Sequence, residues 1–96
     1  MSNDSALDQP VILVVDDDPV DRALICECLK SADFRVEEAV DGSHALEVFR
    51  TVHPHIVLLD VGMPGMTGIE ACAALRQLPG GAQVPIVMVT GHDDTD

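Results

Sequence analysis

Residues 55–68 read HIVLLDVGMPGMTG, from His55 to Gly68. An apolar run, Ile56-Val57-Leu58-Leu59, closes on a single carboxylate, Asp60. Gly62, Pro64, Gly65 and Gly68 then prevent any regular continuation of a strand. The run therefore predicts a buried strand with Asp60 at its carboxyl end, where the chain turns out to solvent. A carboxylate there contributes nothing to a core. It reads as a nucleophile or metal ligand, or equally as an ordinary turn residue that ends the strand. The rest of the chain has to decide.

Working outward, the same grammar recurs. Pro10 introduces Val11-Ile12-Leu13-Val14-Val15, a β-branched run without a polar interruption, as a strand buried on both faces reads. It ends in Asp16-Asp17-Asp18-Pro19. Asp18 is placed to cap a helix with Pro19 at its first position. In that helix Val20, Leu24 and Cys28, with Ile25, Leu29 and Ala32 beside them, predict an apolar stripe, ending near Lys30–Asp33. Residues 34–40 alternate Phe34 and Val36 with Arg35 and Glu37, which predicts a half-exposed strand at a sheet edge. Asp41-Gly42-Ser43 starts a second helix carrying Ala45, Leu46, Phe49 and Val52, and Pro54 stops it. Thr67 to Glu70 is a capping box for a third helix that runs to about Gln77 and breaks at Pro79-Gly80-Gly81. Residues 85–90, PIVMVT, predict a fourth strand, buried on both faces. Alternating strands and helices imply an α/β fold with a parallel sheet and right-handed crossovers.

Composition narrows the classes of function. Ninety-six residues make one domain, with residues 1–9 as a polar tail and 10–96 as the folded part. Hydrophobic content of 47% supports a real core, largely aliphatic, with two Phe and no Trp or Tyr. The formal charge of −12, from 17 acidic and five basic residues, repels nucleic acid and anionic membranes and attracts divalent cations. No run is long enough to span a bilayer and no signal-peptide pattern is present. Three cysteines, an odd number without framework spacing, suggest a reducing cytoplasm. Cys26 and Cys28 stand two apart on a helix and face different directions, which argues against a metal pair. No glycine-rich nucleotide motif occurs.

Every uninterrupted strand ends in oxygen-bearing side chains: Asp16 and Asp17 after the first, Asp60 on the third, Thr90 on the fourth. In a parallel sheet these ends share one edge, where α/β folds bind ligands. If the first and third strands are neighbours, three carboxylates converge and call for a cation. Hard oxygen ligands with room for water favour Mg²⁺.

The acid pair of VILVVDDDP, the segment LLDVGMPGMTG and the Thr closing IVMVT together resemble the receiver domain of bacterial two-component response regulators. The resemblance covers Val11 to His92 and implies a flavodoxin-like, doubly wound sheet of strand order 2-1-3-4. It implies Asp60 as phosphoacceptor, served by a sensor histidine kinase or a histidine phosphotransfer protein. It implies Mg²⁺ held by Asp17 and Asp60, with Asp16 acting through water and the Gly62 carbonyl completing the protein ligands. Thr90 would meet the phosphoryl group through its hydroxyl, and Gly62 and Gly91 through their N–H groups. Gly62 and His92 depart locally from the family, at positions that govern access of hydrolytic water. The family's lysine, on a fifth strand, has no counterpart within this sequence, so the chain is expected to be a piece of a longer protein or an incomplete receiver. On that expectation the fourth strand's uncovered edge favours pairing into a dimer. The output domain is unknown.

Among the basic residues, Lys30 lies eleven residues beyond Pro19. At about 1.5 Å of rise per residue, that is roughly 16 Å from the site edge. None of the four arginines is placed better by sequence; Arg22, on the first helical turn, is closest and the first to consider as a group that shares the site's charge. Two rival readings remain. One is an interaction-only receiver that is not phosphorylated. The other is an Asp-nucleophile phosphatase of the haloacid-dehalogenase type, reading Asp16-x-Asp18 as its D-x-D pattern.

Overall fold

The computed structural model describes residues 9–63 and 65–89. The tail up to residue 8, together with Pro64, Thr90, Gly91 and His92, lies outside the described residues. Four strands, β1 (Val11–Val15), β2 (Arg35–Ala39), β3 (Ile56–Asp60) and β4 (Ile86–Val89), alternate with three helices, α1 (Pro19–Ser31), α2 (Gly42–Val52) and α3 (Gly68–Arg76). The strands form one parallel sheet in the order β2-β1-β3-β4, the flavodoxin-like arrangement expected.

Side chains alternate across the sheet, so each strand feeds two cores. On one face Leu13, Val15, Val57 and Leu59 pack with Ala45 and Phe49 of α2 and with Ala71 and Leu75 of α3. On the other, Ile12 and Val14 pack with Cys26 of α1, flanked by Ile25, Leu29, Phe34, Val36, Ile56 and Leu58. All five β1 residues are buried, as its uninterrupted apolar run requires. At the amino end of the sheet, His55 accepts the Val11 N–H at Nδ1 (2.9 Å) and donates its own N–H to the Val11 carbonyl (2.8 Å). His55 therefore locks β3 to β1 rather than taking part in any ligand set.

The helix starts follow the predicted chemistry. Asp18 accepts the N–H groups of Val20 and Asp21, Asp41 accepts that of His44, and Thr67 and Glu70 close a reciprocal capping box. α2 ends with His53 in the left-handed region (φ 54°), immediately before Pro54. Arg76, in the last turn of α3, donates from Nη1 to the carbonyls of Gly81 (2.8 Å) and Val84 (2.6 Å), which leads the chain into β4.

Two expectations need correction. The stripe on α1 has a different phase: Val20 and Leu24 are each 65% exposed and Cys28 is exposed, while Ile25, Cys26 and Leu29 face the sheet. The inward line begins at Arg22, whose stem is covered although its head is charged. A stripe chosen on apolar residues alone leaves such a position out. β4 is not buried on both faces: Val87 is 47% and Met88 38% exposed. Burial of both faces needs a packed layer on each side; Ile86 packs on the core that holds Phe49 and Leu75, whereas no β4 residue joins the core around Cys26 on the opposite face.

The β3–α3 connection returns very close to its own strand. A Cβ on Gly68 would stand 2.6 Å from the Asp60 carbonyl oxygen and 2.7 Å from the Val61 Cα, both backbone atoms with nowhere to move. Gly68→Ala is therefore expected to cost about 1–3 kcal/mol, as overpacking does. A domain of this size should then melt several degrees lower, at roughly 4–8 °C per kcal/mol. At Gly62 an added Cβ meets nothing within 4 Å, so Gly62→Ala should melt within about 0.5 kcal/mol of wild type. Equal melting temperatures for the two variants would contradict this packing.

Candidate metal and phosphoryl site

The parallel pairing of β1 with β3 brings Val15 beside Leu59, so the residues that follow them, Asp16 and Asp60, leave the sheet at adjacent points of one edge. Asp17 completes the group. One carboxylate oxygen from each of Asp16, Asp17 and Asp60 lies within 4.8 Å of those of the other two. Asp16 is buried, at 5% exposure, Asp60 is half-buried and Asp17 is exposed. The cluster thus has a protein floor and an open mouth.

Local hydrogen bonds aim the three groups. Asp16 Oδ1 accepts the Asp18 N–H at 2.9 Å. The Asp16 N–H donates to the Ala39 carbonyl of β2 at 3.2 Å, which continues the ladder one residue past the strand. Asp60 Oδ1 accepts the Gly62 N–H at 3.2 Å. Asp18, the third acid of the run, turns the other way to cap α1. The D-x-D reading is not supported by this arrangement, because its second carboxylate is committed to a helix terminus.

No basic side chain forms an ion pair with Asp16, Asp17 or Asp60 among the described residues. Burial pushes the Asp16 carboxyl above the ordinary value of 3.8, and the charges of Asp60, Asp21 and Asp17 push it further, against the Asp18 N–H, which pulls it down. Like charges held this closely lack a counterion. Three hard oxygen donors beside solvent are the donor set that suits Mg²⁺ with retained waters.

Of the predicted site residues, the structure brings together Asp16, Asp17 and Asp60, with Gly62 adjoining through its N–H. Thr90, expected at the end of the fourth strand, and Gly91, named by the family resemblance, fall outside the described residues, as does His92. Arg22 touches the group from behind. It donates from Nη1 to the Asp16 carbonyl at 2.7 Å and from Nε to Glu38 at 2.9 Å. Its position four residues after the cap Asp18, on the inward line with Ile25, Cys26 and Leu29, was the signal available in the sequence.

The family model described as response regulator receiver domain matches residues 12–96. The chain belongs to this family, the response regulator receiver domains of two-component systems. It is 45% identical over 84 residues to the DNA-binding response regulator MtrA of Mycolicibacterium smegmatis, a match that covers 88% of this chain and 36% of that regulator. The chain thus spans about a third of the length of that relative. Among solved structures it is similar to the chemotaxis protein CheY4 of Vibrio cholerae, with a TM-score of 0.85 and 32% identity over 90% of this chain and 72% of that one. It is also similar to the receiver domain of sensor histidine kinase PA1611 from Pseudomonas aeruginosa PAO1, with a TM-score of 0.81 and 30% identity over 85% and 67% of the two chains. That structure is described with a magnesium ion coordinated in the active-site cleft.

Because the Asp16 carboxyl is raised, the stability it contributes is full below the ordinary value of 3.8 and is lost as pH rises through the raised value. Asp16→Asn keeps the acceptor for the Asp18 N–H and removes the charge. In metal-free buffer Asp16→Asn should therefore melt above wild type at neutral pH, and the gap should close as pH falls toward 3.8. Differential scanning calorimetry of both proteins across that range checks it. A variant that melts lower at neutral pH would contradict the assigned repulsion.

Proposed function

We propose that this receiver is a phosphoacceptor switch that takes a phosphoryl group on Asp60 in a Mg²⁺-dependent reaction. The observation that carries the reading is the convergence of Asp16, Asp17 and Asp60 at the carboxyl edge of β1 and β3, with no basic ion-pair partner among the described residues. The magnesium in the PA1611 receiver, which shares the fold at 30% identity, supports the choice of cation. In this reading Asp17 and Asp60 ligate Mg²⁺ directly, Asp16 acts through water, and the Gly62 carbonyl supplies the remaining protein ligand. When bound, Mg²⁺ neutralises charge on the transferring phosphoryl group.

The chain's own residues do the rest. An Asp60 carboxylate oxygen supplies the electron pair for a new O–P bond. The P–N bond of a donor phosphohistidine breaks, and its pair returns to the imidazole. The rigid, buried β1 holds Asp16 and Asp17 still while Asp60 reacts. The N–H of Gly62, which meets Asp60 Oδ1 in the free protein, is well placed to turn to a phosphoryl oxygen afterwards. Thr90 and Gly91 complete the phosphoryl contacts in this proposal. The donor is a sensor histidine kinase or a histidine phosphotransfer protein in the cytoplasm. No helix among the described residues is long and apolar enough to cross a membrane. The domain acts as a switch, without turnover of a pool of phosphoesters, and residues 10–96 make up the receiver.

The test uses a small acyl phosphate as donor, with intact-mass detection of one added phosphoryl group. Wild type should gain the group with Mg²⁺ and not with a chelator. Asp60→Asn should gain none, and Asp17→Asn should slow uptake by about tenfold or more, as loss of a charge contact in a transferring site does. Uptake by Asp60→Asn at the wild-type rate would overturn the assignment. Absence of uptake by folded wild type would favour an interaction-only receiver.

A further inference from the structure

We infer that Arg22 is a positioning residue for the cation site, acting through the main chain of Asp16 and not by sharing the charge load of the three carboxylates. The inference rests on the reading of Asp16 as part of that site. The peptide that follows Asp16 is where β1 stops and the acidic turn begins. On its amino side Asp16 is still held by the sheet, through its N–H to Ala39. Its carbonyl has left the ladder, and no backbone N–H among the described residues reaches it. Arg22 Nη1 takes that place at 2.7 Å, a short charge-assisted bond.

The guanidinium is itself fixed. Its side chain is 16% exposed, and Nε is bound to Glu38 of β2 at 2.9 Å. The planar fork thus spans the Asp16 carbonyl and Glu38 at once, from the first turn of α1. A lysine has one nitrogen and cannot reproduce that geometry. The carbonyl sets the ψ angle of Asp16, and with it the direction of the chain into Asp17. Asp17 inherits its placement from this bond, and the Asp16 carboxylate is coupled to it through the downstream Asp18 N–H that it accepts.

Topology separates this role from a charge-sharing one. Glu38 lies on β2 and Asp60 on β3, with β1 between them. Arg22 therefore binds on the flank of β1 away from Asp60. As a mere neighbouring charge, it would repel a dication, and its removal would tighten Mg²⁺ binding. As a positioning residue, its removal loosens binding. The two roles predict opposite signs.

The experiment is isothermal titration of wild type, Arg22→Gln and Arg22→Lys with Mg²⁺ at fixed ionic strength, with circular dichroism to establish that each is folded. Both variants should bind Mg²⁺ roughly tenfold more weakly, the lower end of what loss of an outer partner of a metal ligand costs. Arg22→Lys should not rescue, although it restores the charge. Unchanged or tighter binding by Arg22→Gln, or full rescue by Arg22→Lys, would overturn the inference. Loss of fold in both variants would also overturn it, by making Arg22 a structural clamp only. A wild type that binds no Mg²⁺ would remove the cation site itself, an outcome distinct from failure of the Arg22 role.

Discussion

Three carboxylates held together at one sheet edge are the constraint on which the rest of the structure depends. Nothing in the hydrophobic core asks for them. They meet because β1 and β3 are adjacent and parallel, so that Asp16 and Asp60 leave the sheet side by side. Burial of Asp16 makes the arrangement costly without a counterion, since desolvation and like charge both oppose its ionised form. A fold that maintains such a cluster keeps an unfavourable local state in the metal-free form. A divalent cation held by the three carboxylates would offset that repulsion.

The scaffold holds the cluster by backbone more than by side-chain contact. β1 is buried along its whole length, so Asp16 and Asp17 extend from a strand packed on both faces. Asp18 ends the acidic run by capping α1, which fixes the turn. On the other side, the close return of Gly68 against the Asp60 carbonyl and Val61 pins the end of β3. Arg22 and Glu38 tie the Asp16 peptide to β2. The Gly68 and Arg22 contacts act on main-chain atoms of Asp60, Val61 and Asp16 themselves. The side chain of Asp17 is exposed and that of Asp60 is half-buried, held only by the Gly62 N–H among the described residues.

Much of this was legible in the residues. The two uninterrupted apolar runs ending in Asp gave β1 and β3, and the caps at Asp18, Asp41 and Thr67 gave the helix starts. Convergence of the carboxylates needed the strand order as well, and local pattern does not encode strand order; the likeness to receiver domains supplied it. The phase of α1 differs from the apolar stripe because the inward line includes Arg22, a residue that buries its stem and satisfies its head on Glu38 and a carbonyl. An apolar template cannot register a partner on another strand. β4 was read as buried on both faces because its sequence is apolar throughout. Burial depends on the layers that flank a strand, and Val87 and Met88 remain exposed. Thr90 is legible as a strand-end residue, Gly91 enters only through the likeness to receiver domains, and both lie outside the described residues.

The central claim is that Asp16, Asp17 and Asp60 form a site whose repulsion a divalent cation relieves. Thermal melting across a Mg²⁺ titration at constant ionic strength tests it most directly. A ligand that binds only the folded state stabilises by mass action, by about 2.7 kcal/mol at a hundred times its dissociation constant. The melting temperature of wild type should therefore climb steadily with the logarithm of Mg²⁺ concentration, and the climb should be much smaller in Asp17→Asn. A melting temperature that stays flat in wild type, or rises equally in both proteins, would contradict the account.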